Sequence, residues 1–160
     1  MLSISIVCVG RLKESYLKSA SAEYQKRLGA FCRLNIKELE PVSLPENPSP
    51  AQVMSALEKE GERIWAAVPA GAKTVALCIE GKMLTSEKLG NFISTQMSQG
   101  FSRFVFIIGS SHGLADSVKN RADFSLSLSK MTFPHQLARI MLLEQLYRAF
   151  MIENSGKYHK

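Results

Sequence analysis

The chain has 160 residues, 46% of them hydrophobic and 21% charged, a balance that suits one domain over residues 1–160 with a sizeable core and excludes disorder or a membrane protein. No apolar run approaches the roughly 20 residues a helix needs to span a bilayer, and the opening "MLSISIVCVG" lacks the basic start and cleavage site of a secretory signal. A net charge of +6, with a pI near 9.3, favours a polyanionic partner, nucleic acid above all.

Strand and helix patterns alternate along the chain, as in an α/β domain with a mostly parallel sheet. "SISIVCVG" is a β-branched run closed by Gly10 and reads as a buried first strand. A helix is expected over about residues 14–28, where Tyr16, Leu17, Ala20, Tyr24 and Leu28 recur at helical spacing and Lys18, Lys26 and Arg27 take the other face. "FCRLNIKEL" alternates as a half-exposed strand should. "EPVSLPENPSPAQ" holds four of the six prolines and is a loop. At its end Ser49, Pro50 and Gln52 spell a capping box that starts a helix running to about Val68, before Pro69 and Gly71. "TVALCIEG" is a second buried strand and "TSEKLGNFISTQMSQG" a helix. "RFVFIIGSSHG" is an apolar strand opening into a glycine-bounded loop. A short helix in "LADSVKNRA", a last strand in "FSLSLS" and a final helix from Pro134 to about Ile152 complete the chain.

The three cysteines, Cys8, Cys32 and Cys78, are widely spaced in apolar contexts, which predicts buried reduced thiols in a cytoplasmic protein. No CxxC or Cys/His cluster exists, and His112, His135 and His159 lack ligand spacing, so no metal is expected.

Three strand ends lead into loops that could face one ligand: "LCIEGK", "IIGSSHG" and "SLSKMTF". In parallel α/β sheets ligands collect beyond the carboxyl ends of the strands. "GSSHG" matches neither GxGxxG nor a Walker loop nor G-x-S-x-G, and Glu80 is the lone carboxylate in these loops. Dinucleotide binding and familiar hydrolytic devices are therefore disfavoured. What remains is a site of backbone amides and small or apolar side chains beside a basic surface. It suits chemistry whose reactive group arrives on a cofactor, such as a sulfonium methyl donor.

From "IIGSSHG" through "SKMTFPHQLARIMLLEQLYRAF" to the terminal "YHK", with "VGRLKESY" and "IEGKMLTSE" earlier, the chain resembles the RlmH family. These are SPOUT-class methyltransferases that modify a pseudouridine of the bacterial large-subunit ribosomal RNA. The resemblance implies an α/β fold of SPOUT type, a mostly parallel sheet flanked by helices with a C-terminal trefoil knot. It also implies a homodimer with the site at its seam and S-adenosylmethionine held in the knot loops. The family's cofactor positions fall on Leu77, Gly109, Leu128, Ser129, Lys130, Met131, Thr132 and Phe133. Leu77, Met131 and Phe133 would line an adenine slot, Gly109 would leave room for the ligand, and main-chain groups around Ser129 and Lys130 would read the base edge. Ser110 stands where similar proteins often carry a second glycine; a positive φ there would strain serine by roughly 1 kcal/mol or more. The final helix, with Leu137, Ile140, Met141, Leu142, Leu143, Leu146, Tyr147, Phe150 and Met151, would serve both its own core and a partner.

The implied reaction methylates N3 of a pseudouridine in 23S ribosomal RNA within the assembled ribosome. Because N3 must lose an imide proton, Tyr158 and His159 of the polar tail, with Arg139, are the expected catalytic residues. A subunit this small would bind RNA through its own surface, with Lys13, Lys18, Lys26, Arg27 and Arg11 contributing. The alternatives are a non-catalytic RNA-binding or ribosome-assembly protein of the same fold, and a SPOUT enzyme acting on another RNA position.

Overall fold

The run Ile4–Val9 is too apolar to face water on either side. In the computed structural model, which describes residues 1–155, it lies inside a five-stranded sheet. Strands β1 (Ser3–Val9), β2 (Arg33–Leu39), β3 (Lys73–Met83), β4 (Arg103–Ile108) and β5 (Phe124–Ser127) are ordered β2-β1-β4-β3-β5, and every pair is parallel. Parallel strands need crossovers, and helices α1 (Ser15–Leu28), α2 (Pro50–Ala66), α3 (Ser86–Ser98) and α4 (Asp116–Arg121) supply them. The chain ends, within the described residues, in α5 (His135–Ser155). Each helix and strand read from the sequence is present, with bounds shifted by a few residues.

The two-residue period of the strands sorts their side chains onto opposite faces. Ile4, Ile6, Cys8, Phe104, Phe106 and Ile108 meet Leu28 of α1, Leu89 and Ile93 of α3, and Leu142, Leu143 and Leu146 of α5. On the other face Val7, Val9, Val105 and Ile107 meet Ile64 of α2 and Val118 of α4. The edge strand β2 keeps Leu34, Ile36 and Leu39 half-buried and its polar residues exposed, as a strand with one half-exposed face should. The capping box of α2 is formed in full: the Ser49 hydroxyl accepts the Gln52 N–H at 3.2 Å, and the Gln52 side chain accepts the Ser49 N–H at 2.8 Å.

Two local features shape what lies beyond the strand ends. Leu126 of β5 pairs with Leu77 and again with Lys82 of β3, so residues 78–81 leave the ladder and return to the same partner. Gly81 allows this return, because a Cβ there would stand 2.8 Å from the Ser125 and Leu126 backbone. In α5, Leu142, Leu143 and Leu146 are fully buried, whereas Leu137 is exposed and Met141, Tyr147 and Met151 are half-buried. No helix among the described residues is long and apolar enough to cross a membrane.

Candidate functional site

The carboxyl ends of β3, β4 and β5 run into three loops whose backbones are held in different ways. After β4, Gly113 adopts φ +86 and donates its N–H to the Ser110 carbonyl at 2.8 Å, closing a tight turn. Gly109 precedes it, and a Cβ at that position would lie 2.3 Å from the Gly113 carbonyl oxygen. Its lack of a side chain is thus required by the turn itself. Ser110 has no positive φ, so the expected strain is absent. Instead its hydroxyl donates to Glu60 at 3.1 Å, and this buried carboxylate also accepts the Val42 N–H at 2.9 Å. The α2 helix thereby braces the turn.

After β5, the alternating serines make local bonds of the kind that compete with a strand. Ser127 Oγ donates to the Ser129 carbonyl at 2.9 Å, and Ser129 Oγ accepts the Met131 N–H at 3.0 Å. This is why β5 stops at Ser127, two residues before the end of the alternating run.

The three loops converge on a cleft of about 770 Å³, inside the range usual for small-molecule and cofactor sites. Of the eight expected cofactor positions, Leu77, Gly109, Leu128, Ser129, Met131, Thr132 and Phe133 line it, and Lys130 does not. Leu77 and Phe133 are half-buried, while Met131 is 72% exposed and stands at the rim.

The catalytic candidates are placed differently. Tyr158 and His159 lie outside the described residues. Arg139 is buried in α5 and committed to its own subunit: Nη1 donates to Glu38 at 2.7 Å and Nη2 to the Gly10 carbonyl at 3.1 Å. It fastens α5 to the ends of β1 and β2 and is not among the cleft residues. A Cβ on Gly10, itself at φ +114, would lie 3.3 Å from His135 Nε2.

The cleft also contains groups that sequence reasoning passed over. His135 lines it, half-buried, and burial, then the Arg139 and Lys13 charges, hold its pKa below the ordinary histidine value, so it is neutral at pH 7. The Thr-Phe-Pro-His turn was a usable signal for it. Glu80, seen in the sequence as alone, pairs with Lys119 of α4, and both line the cleft. Nothing in the sequence links two residues 39 positions apart. No group of three or more potential metal ligands occurs among the described residues. Burial pushes the thiols of Cys8 and Cys32 up to about 12 and about 11, which leaves both protonated at neutral pH.

Residues 2–159 match a family model described as "Predicted SPOUT methyltransferase". The chain belongs to this family, the RlmH type of SPOUT methyltransferases. Its fold is also similar to a solved structure, that of a probable methylase family protein from Haemophilus influenzae Rd KW20. The TM-score is 0.54 at 14% identity, over 98% of this chain and 70% of that one. SPOUT methyltransferases typically use S-adenosylmethionine, and the cleft of this SPOUT chain has a donor set that fits it. Leu77, Leu126, Leu128 and Phe133 offer apolar walls for a purine, the Ser129–Phe133 segment offers main-chain groups, and hydroxyl and charged side chains stand at the β3 and β4 ends.

Proposed function

We propose that this SPOUT methyltransferase uses S-adenosylmethionine to methylate N3 of a pseudouridine in bacterial 23S ribosomal RNA, acting in the cytoplasm as a homodimer on the assembled ribosome. The observation that carries the cofactor reading is the convergence of three strand-end loops, with seven of the eight family positions, on one cleft. In this reading the chain after β4 forms the family's trefoil knot, with the cofactor in its loops. Exposed Ile79 and Met131 at the cleft and exposed Leu137 on α5 support a second copy covering that edge.

Bound in the cleft, S-adenosylmethionine would supply an electrophilic methyl group for transfer to N3. Leu77 and Phe133 hold the purine and exclude water around it, and the Ser127–Ser129–Met131 hydrogen bonds keep the loop in shape. On the acceptor, N3 must shed its imide proton. The tail residues Tyr158 and His159 receive or orient that proton, and Arg139 contributes indirectly by fixing the start of α5. Removal of residues 158–160 is expected to slow methyl transfer on the order of a hundredfold while calorimetric binding of S-adenosylhomocysteine stays unchanged. Undiminished turnover would remove the tail from the mechanism.

The polyanion-facing surface centres on α1. No ion pair recorded among the described residues ties down Lys13, Lys18 or Lys26, whereas Arg27 pairs with Glu23 and Arg11 with Glu40. The decisive experiment incubates the protein with labelled S-adenosylmethionine and ribosomes lacking the modification, then maps the methylated nucleotide by mass spectrometry. A label on N3 of one pseudouridine is the expected result; a label elsewhere, or none, would refute the substrate assignment.

A further inference from the structure

The Glu80–Lys119 pair has no part in the chemistry above, yet both residues line the cleft. Glu80 sits on the segment where β3 leaves β5 and returns, and the close seat of Gly81 on the β5 backbone fixes where that segment runs. It follows Leu77 by three residues, so the chain carries it at most about 10 Å from the wall of the purine slot, roughly a nucleoside's length. Its side chain is 60% exposed, and that of Lys119 is 22% exposed. Lys119 is therefore the anchored partner and Glu80 the group open to the cleft. Among the described residues that line the cleft, Glu80 is the one carboxylate.

A carboxylate is an acceptor with about four lone-pair sites, and one lysine hydrogen bond leaves most of them open. The Lys119 hydrogen bond is also the main cause that holds the Glu80 carboxyl below the usual glutamate range, so it is ionised at neutral pH. Because the lysine cancels the charge at a distance, the pair exerts little pull on a cation as such. What it offers is a fixed, directional pair of acceptor oxygens. Two adjacent hydroxyl donors are the chemistry that satisfies such a group. The serine on the opposite loop is less available, since the Ser110 hydroxyl already donates to Glu60.

We propose that Glu80, oriented by Lys119, accepts hydrogen bonds from the 2′- and 3′-hydroxyls of the ribose of an adenosine-bearing ligand in this cleft, and so makes binding depend on an intact diol. The proposal rests on the reading of the cleft as an S-adenosylmethionine site and adds a specificity residue to it.

The test is calorimetric and needs no turnover. S-adenosylhomocysteine and its 2′-deoxy and 3′-deoxy counterparts are titrated into the wild-type chain, Glu80→Ala and Lys119→Met, with thermal melts to show that each variant is folded. The wild type is expected to bind each deoxy ligand roughly tenfold more weakly than the intact one, the usual worth of a hydrogen bond to a charged acceptor. Glu80→Ala should bind the intact ligand roughly tenfold more weakly and lose the discrimination against the deoxy ligands. Lys119→Met, which keeps the acceptor but removes what orients it, should reduce that discrimination without abolishing it. Equal affinity of the wild type for all three ligands, or discrimination unchanged in Glu80→Ala, would overturn the proposal. Failure of the wild type to bind even intact S-adenosylhomocysteine at millimolar concentration would refute the cofactor reading itself, and this inference with it.

Discussion

Gly109→Ala is expected to abolish S-adenosylhomocysteine binding, weakening it by more than about a thousandfold, and to destabilise the fold by about 3 kcal/mol. The added Cβ would stand 2.3 Å from the Gly113 carbonyl oxygen and 2.6 Å from its carbon. Both belong to backbone, which unlike a flexible side chain cannot swing away. The only relief is to open the turn that the Gly113 N–H to Ser110 carbonyl bond closes, and that turn is one wall of the cleft. Gly113→Ala is the instructive comparison. There a Cβ meets nothing within 4 Å, but the residue sits at φ +86. Only the left-handed penalty of roughly 1–2 kcal/mol applies, so binding should weaken by tens of fold at most. Calorimetry on the two variants, with thermal melts, measures both effects. Equal losses would mean that the close approach at Gly109 is not what shapes the wall.

Arg139→Met is the second large effect, and it falls on stability. The methionine retains the stem's packing but removes a guanidinium that is 2% exposed, which leaves the Gly10 carbonyl and the Glu38 carboxylate without their donors. Breaking one side of a buried pair costs about 3–5 kcal/mol. The Glu38 side chain is 36% exposed and recovers part of its hydration, so the expected loss lies near the lower end, about 3 kcal/mol. Urea unfolding reads it directly. A variant of undiminished stability whose turnover alone collapses would return Arg139 to the substrate, where the sequence reading had grouped it with Tyr158 and His159.

Arg139 also illustrates how far residue types reach. A cation four residues after His135, on a helix that leads into a polar tail, has the composition of an RNA-facing catalytic group. Which way it points depends on whether an acid waits inside, and Glu38 lies 101 residues away. Ser110 is a similar case. Its place where similar proteins often carry a glycine suggested backbone strain, and the structure gives it ordinary φ and a hydroxyl bond to Glu60, 50 residues distant. By contrast, the capping box at Ser49 was legible because all its atoms lie within four residues. The apolar run of β1 was legible because complete burial requires it wherever the strand sits in the sheet.

Periodicity, turn residues and caps are local, and by themselves they determined the ten elements, the parallel α/β class and the three loops worth inspecting. The likeness of the C-terminal third to one family added the cofactor positions. Long-range proximity is a different kind of fact. It was the strand order β2-β1-β4-β3-β5 that placed the ends of β3, β4 and β5 side by side, and the return of β3 to Leu126 that put Glu80 opposite Lys119. These depend on which strands pair across the whole chain, a choice settled by burying two apolar faces at once rather than by any short stretch of residues.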